Sequence, residues 1–474
     1  MNDRDARELE RAIRDILEIA TGFGLAPFKL NFELVPAHIM YEFGAYGLPS
    51  RFSHWTHGRT YQELKTMYDY GLNKIYELVI NTDPCYAFLL ESNSVLQNKL
   101  VVAHVIAHAD FFKNNLYFQQ TSRDMLEGAA VNAERIRRYE FKHGQVEVEQ
   151  FLDAVLAIQE HVDPNQIIRS YRSKRRRQPT VAASRRAKAT GPYDDLFLKS
   201  ELDEAEELAA AKPARGEPEK DLLLYLLEHA SGLADWQQDI ISIVRSEMLY
   251  FVPQMQTKIM NEGWASYWHA RIMRELPLSV ADAIEFARLH ANVLTPTGQQ
   301  INPYLVGLRI FEDIERRWDN PTDEERDVLR RQPGQGRAKI FEVRETESDV
   351  SFLRNYLTRD LVRDLELHVF KHEGEDVKSD EADWQEVRDM LVASMTNFGH
   401  PYLQVEEGNY EGRGELYIKH VYEGQELDLK YAERTMPYVY RLWGRPVHVE
   451  TVLEDKPHLL TFDGSGEGIT KRPL

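Results

Sequence analysis

Between residues 168 and 218 the chain carries almost nothing that a folded core could use. Arg169, Arg172, Arg175, Arg176, Arg177 and Lys188 crowd its first part, Pro179 interrupts it, and an acidic, alanine-rich run from Glu201 to Lys212 leads into Pro213 and Pro218. Such a composition cannot bury enough apolar area to offset the entropy of ordering it, so the stretch reads as a charged linker or mobile insertion. Any globular structure must therefore be assembled from the segments on either side. A basic run of this kind can serve as a contact for RNA or acidic lipid. Here the acidic segment that follows answers its charge, and the whole chain carries a formal net charge of −19. That excess opposes non-specific binding to nucleic acid or an anionic membrane.

A chain of 474 residues is too long for one compact core. Residues 1–167 read as a helical domain: Leu9, Ile13, Ile16, Leu17 and Ala20 recur at helical spacing. A second helix, with Leu96, Leu100, Val101, His104, Val105 and His108, is expected to start at Ser92 or Ser94 as its cap. Residues 219–334 are helical again, with Pro253 expected to end or kink one helix and a further helix running from about Lys258 to Glu275. Beyond 335 the texture changes. Lys339–Val343, Glu415–His420 and Pro446–Leu453 pattern as strands and Tyr431–Trp443 as a helix, so 335–474 is expected to be a separate domain. Its Arg413, His420 and Arg445 read as surface or core residues rather than as chemistry. The expected fold class is α+β, predominantly helical in its N-terminal and central regions, with a smaller α+β C-terminal domain.

The lone cysteine, Cys85, excludes an internal disulfide, fits a reducing compartment and reads as a buried small hydrophobe. Met1–Ile19 mixes acids and bases where a secretory leader would be basic and then apolar, and no stretch approaches the roughly 18 apolar residues of a membrane span. A soluble cytoplasmic protein with no stable membrane insertion is the expectation.

The sharpest local feature is Ala103-His104-Val105-Ile106-Ala107-His108. Histidines at i and i+4 share one helix face with Cβ atoms about 5–6 Å apart, a spacing at which two imidazoles can hold one metal ion. Alone this is a weak signal, since paired histidines more often pack. A second segment strengthens it. Asn261-Glu262-Gly263-Trp264-Ala265-Ser266-Tyr267 resembles the third-ligand helix of gluzincin aminopeptidases, and the histidine helix resembles their other half. The resemblance implies a zincin-like site in which His104, His108 and Glu262 hold zinc, or manganese or iron, with one coordination position open. His269, seven residues past Glu262, falls on the same face about 10.5 Å along the axis. That suits a contact behind the ligands or a second metal.

Two departures stand out. Val105 occupies the position where those peptidases place the glutamate that activates water, and Glu262 follows His108 by 154 positions rather than closely. A long insertion is tolerable because closure entropy grows slowly with loop length. A replacement base must come from elsewhere, and Glu42, Glu91 and Glu247 are the candidates on neighbouring segments. Asp110 lies about 200° round the helix from His108. It therefore points away from the ligands and is placed to anchor a neighbouring backbone. His54 and His57 are further histidines that could enter such a site.

Taken together, Tyr46-Gly47-Leu48-Pro49 with His54-Trp55, the His104–Asn115 block, Pro253 to His269, Asn302-Pro303-Tyr304, Phe311-Glu312-Asp313-Ile314-Glu315 and Leu442-Trp443-Gly444-Arg445-Pro446-Val447 resemble the stage V sporulation protein R (SpoVR-like) family. The resemblance implies a cytoplasmic bacterial protein linked to building the spore cortex or, more broadly, to stress and stationary-phase physiology. Its relatives are often encoded beside a PrkA-type serine kinase. Two readings follow as expectations. One is a metal-dependent hydrolase cleaving an amide bond in a peptide, protein or cell-wall precursor. The other is a non-catalytic zincin-like adaptor working with such a kinase. A redox-active or di-metal site using His269 is a third reading, supported by the surplus of histidines and carboxylates alone.

Overall fold

The computed structural model describes residues 1–70, 77–165, 218–296, 301–373, 376–380, 383–466 and 468–474; most of the expected linker lies outside these residues. The chain divides into two compact units: Met1–Glu149 with Tyr250–His400, and Gln150–Leu249 with Pro401–Leu474. The class is α+β. No described helix is long and apolar enough to cross a membrane.

In the first unit the Val95–Asn114 helix is buried on nearly every side, from Leu100 through Phe112. A helix apolar all round must be enclosed by others. The helices Asp3–Gly22 and Lys258–Glu275 pack against it, and Leu9, Ile16, Val102, Ile106, Trp264 and Trp268 share one core. Its start is fixed by a capping box: Gln97 N donates to Ser94 Oγ at 3.1 Å while Ser94 N donates to Gln97 Oε1 at 2.9 Å. Of the two expected caps, Ser94 is the one used.

The Lys258–Glu275 helix has no cap of its own making, since Thr257 offers no side-chain bond. Its first amides are met instead by Asp349, whose oxygens accept from Ile259 N at 2.8 Å and Met260 N at 2.9 Å. A carboxylate at this end also answers the helix dipole. Pro253 does not end the preceding helix, which runs Asp235–Gln256 with the proline inside it. The break falls at Thr257, whose hydroxyl donates to Pro253 O at 2.7 Å. The Pro303–Asp319 helix crosses the Lys258–Glu275 helix backbone against backbone. A Cβ on Gly263 would overlap the Gly307 backbone, and one on Gly307 would stand 2.7 Å from Gly263 Cα.

A three-stranded sheet of β1 (Leu30–Val35), β2 (Glu77–Ile80) and β3 (Cys85–Leu90) completes this part of the unit, in the order β1-β3-β2 with β1 and β3 parallel. Cys85 is buried in β3. Residues 339–343 are not a strand but part of the Gly336–Thr346 helix. Five alternating residues also satisfy a helix when Ile340 and Val343, three apart, are the buried pair, and Asp319 Oδ1 accepts from Gly336 N at 2.7 Å to start it. Ile340, Val343, Phe352 and Leu353 join the same core as the histidine helix. Residues 335–400 thus belong to the first unit, and the chain returns to the second unit at Pro401.

After the backbone hairpin of β4 (Val369–Glu373) and β5 (Asp376–Asp380), the second unit's sheet runs β10-β9-β8-β7-β6. Its strands are β6 (Leu403–Tyr410), β7 (Glu415–His420), β8 (Val447–Leu453), β9 (Lys456–Phe462) and β10 (Thr470–Pro473). The β7 and β8 strands are parallel, and the Leu429–Trp443 helix makes the connection they require. Met436, Val439 and Leu442 form the buried side of that helix. Here strand and helix fall where the residue pattern places them.

Candidate metal centre

Helical spacing puts His104 and His108 on one face, and the fold turns that face toward Glu262. His104 Nε2 lies 3.4 Å and His108 Nε2 3.5 Å from Glu262 Oε2. The two ring centroids are 4.5 Å apart. A fourth group joins them. Glu77, the first residue of β2, places Oε1 3.3 Å from His104 Nε2. Among the described residues, Glu77, His104 and His108 bring ligand atoms within 4.8 Å of one another.

Both histidines are held from behind. His108 Nδ1 is 2.9 Å from Asn261 Oδ1, and His104 Nδ1 is 2.9 Å from His269 Nδ1. His269 Nε2 in turn lies 2.8 Å from His290 Nδ1. On the open side Tyr304 packs its ring against His104, with centroids 6.0 Å apart, and bonds its hydroxyl to Glu262. Asn302 sets that residue in place: it caps the Pro303–Asp319 helix by accepting from Tyr304 N at 2.9 Å, with Pro303 in the first turn where its missing N–H costs nothing.

The electrostatics separate the two carboxylates. Burial raises the Glu262 carboxyl, but its bond to His104 and the charges of His108 and His104 more than offset this, leaving it below its ordinary value. Withdrawal from solvent pushes Glu77 up to about 6, with His104 opposing the shift and Glu262 adding to it. His104 is pulled down by burial and lifted above its ordinary value by the Glu77 and Glu262 carboxylates. Burial and the neighbouring His104 hold His108 down at about 4. His269 is kept neutral by burial and by repulsion from His104 and His290. A pair of carboxyls with environments that drive them apart is the usual signature of divided labour between acid and base.

The donor set fits a divalent ion. Ligand atoms about 2.0–2.2 Å from a tetrahedral ion stand about 3.4 Å from each other. The separations of Glu262 Oε2 from the two imidazole nitrogens, 3.4 and 3.5 Å, match that edge, and Glu77 Oε1 stands beside them 3.3 Å from His104 Nε2. Imidazole and carboxylate are donors shared by zinc, manganese and iron.

The four residues expected to be metal-associated, His104, His108, Glu262 and His269, are brought together, with His269 behind His104 rather than beside the carboxylates. The three expected base candidates stand on separate segments. Glu42 is exposed on the Ala37–Tyr46 helix, Glu91 is exposed after β3, and Glu247 is buried in the Asp235–Gln256 helix of the second unit. His54 caps the Trp55–Asp69 helix, and His57 packs on Tyr46 and Phe52, held down at about 3 by burial and by Arg51 and His54. Glu77 was missed because one acidic residue at the head of a four-residue strand has no periodicity. The apolar run Leu78-Val79-Ile80 behind it is the signal that could have marked the strand.

These features define an α+β protein built round a buried cluster of two histidines and two glutamates. The comparisons then place it. Residues 3–400 match the family model described as SpoVR like protein and residues 401–454 the one described as SpoVR-like C-terminal domain, so the chain belongs to the SpoVR-like family. The boundary between the two matches coincides with the end of the first structural unit at His400. The chain is 27% identical over 482 residues to the Uncharacterized protein YcgB of Escherichia coli (strain K12), covering 94% of this chain and 92% of that relative. No solved structure matches.

Proposed function

We propose that the protein is a metal-dependent hydrolase of an amide bond, with His104, His108 and Glu262 holding the ion and Glu77 acting as the base. The observation that carries this reading is the second carboxylate. Glu77 reaches the same His104 nitrogen that Glu262 does, at 3.3 Å, and supplies the acid–base group that Val105 cannot. A divalent ion held there would acidify a water and polarise an amide carbonyl. Glu77 takes a proton from the attacking water and returns it to the departing nitrogen as the carbon–nitrogen bond breaks. A carboxylate at that distance can serve both halves of the exchange. Tyr304 holds Glu262 through its hydroxyl, and Asn261 keeps His108 turned inward. The family's link to the spore cortex favours a peptide or cell-wall precursor as the substrate.

The test is elemental analysis and amide turnover on protein purified without chelator or histidine tag. Wild type should carry near-stoichiometric zinc, manganese or iron. His104→Ala and Glu262→Ala should lose it. Glu77→Gln should keep the metal and lose turnover by about 100-fold or more, the range of one general base. Metal-free wild type that cannot be loaded ends the proposal, and metal loss in Glu77→Gln would make Glu77 a ligand instead.

A second reading, an adaptor working with a PrkA-type serine kinase, is favoured by one fact: Val105 is wholly buried in the core. Capture of such a kinase by a chain that turns over no amide would support it.

A further inference from the structure

The back of the site holds three imidazoles in a row, on three helices. His104 stands on Val95–Asn114, His269 on Lys258–Glu275 and His290 on Val280–Val293. Their nitrogens are 2.9 and 2.8 Å apart, and the rings of the second pair meet edge to face at 88°. His269 is 1% exposed. A neutral imidazole has one N–H and one lone pair, so an unbroken row must run in a single direction.

That direction is set by the front of the site. When a cation takes the lone pair of His104 Nε2 between the two carboxylates, the ring's one proton sits on Nδ1. His104 therefore donates to His269 Nδ1. His269 is left with its N–H on Nε2 and donates to His290 Nδ1. We infer that His269 and His290 are positioning residues whose hydrogen-bond chain presents His104 Nε2 to the ion in its ligating tautomer. This rests on the proposed metal reading and assigns roles to two residues that never touch the ion. It also accounts for a buried histidine two helical turns from Glu262, beyond reach of the same ion.

The role predicts a pattern that packing alone does not. Glutamine can accept at its carbonyl and donate from its amide, so it can stand in for either ring; leucine fills the space and does neither. Zinc affinity of the full chain is measured by calorimetry for wild type, His269→Leu, His269→Gln, His290→Leu and His290→Gln. His269→Leu should weaken zinc by about 10–100-fold, the usual loss when a partner behind a ligand is removed, with His269→Gln restoring most of it. His290→Leu should give a smaller loss, again restored by glutamine. His290 is half-buried, so its pair decides the matter if His269→Leu does not fold. Side-chain nitrogen NMR of zinc-loaded wild type should show His269 protonated at Nε2. Leucine and glutamine behaving alike, no loss in any variant, or a proton on His269 Nδ1 would overturn the assignment while leaving the metal site intact. Failure of the wild type to bind zinc, manganese or iron would remove the metal reading and this inference with it.

Discussion

Trp264 donates its indole N–H to the Asp110 carboxylate at 3.0 Å, tying the histidine helix to the Glu262 helix through a bond that touches neither ligand. The same carboxylate, fully buried, accepts from Arg344 Nη1 at 2.8 Å, Ala26 N at 2.8 Å and Asn114 Nδ2 at 3.1 Å. Arg344 is itself 4% exposed. Four donors on one anion make Asp110 the fastening point of the first unit.

Removing that anion leaves a buried guanidinium with Glu345 and the Trp264 and Phe341 rings but no buried counter-charge. Asp110→Ala should therefore cost about 3–5 kcal/mol, the range for breaking one side of a buried ion pair. Urea denaturation checks this, with Arg344→Met as the second arm of a double-mutant cycle. A coupling energy near zero would mean that Asp110 acts through the neutral donors instead.

The crossing of Gly263 and Gly307 is the second support. Glu262 precedes Gly263, so any widening between these helices shifts the carboxylate relative to the histidines. Gly263→Ala forces its methyl into the Gly307 backbone. A loss of about 1–3 kcal/mol is expected for such overpacking, accompanied by weaker metal binding. Measuring melting temperature and metal content together tests it; an unchanged metal content would show that the helices part without displacing Glu262.

How far these supports were legible in the sequence depends on the range of the signal. His104 and His108 stand out because helix periodicity puts them on one face, Glu262 because its segment resembles a known third-ligand helix, and His269 follows from its seven-residue offset. Asp110 was also placed correctly away from the ligands, since the same periodicity turns it to the opposite side, toward Ala26. Glu77 and Asp349 carry no such mark. Each reaches a helix distant in the chain, and only the tertiary packing decides which acidic residue arrives there. The Lys339–Val343 stretch was misread for a related reason: five residues are too few to separate a period of two from a half-buried helix. Ile340 and Val343 join the core that holds Trp264, in the unit that runs to His400.

Val105 offers a test of the replaced base. Restoring the peptidase pattern with Val105→Glu would not restore a base, because this position is wholly buried among core side chains rather than facing the open side of the site. An ionisable group forced there should destabilise the protein by several kcal/mol. Amide turnover by the variant should fall with its folded fraction. A folded Val105→Glu protein more active than wild type would show that the helix presents this face to substrate.

In the second unit, Glu415 accepts from Arg413 Nε at 2.8 Å and Nη2 at 2.7 Å, while His448 Nε2 stands 2.8 Å away. The bonds from Arg413, with His448 adding to them, hold its carboxyl down at about 2 against an ordinary 4.5. A carboxyl depressed by folding stabilises the folded state fully above its unfolded value, and that contribution fades as pH falls from about 4.5 toward 2. Arg413 is 51% exposed, so screening limits the effect to about 1 kcal/mol or less. Glu415→Gln should accordingly speed amide exchange in β7 at pH 7, match wild type near pH 2, and lose most of its effect in 1 M salt. Hydrogen exchange at those three conditions decides it. A difference that persists undiminished near pH 2 would place the contribution in side-chain packing against Tyr410 and His448 rather than in the charge.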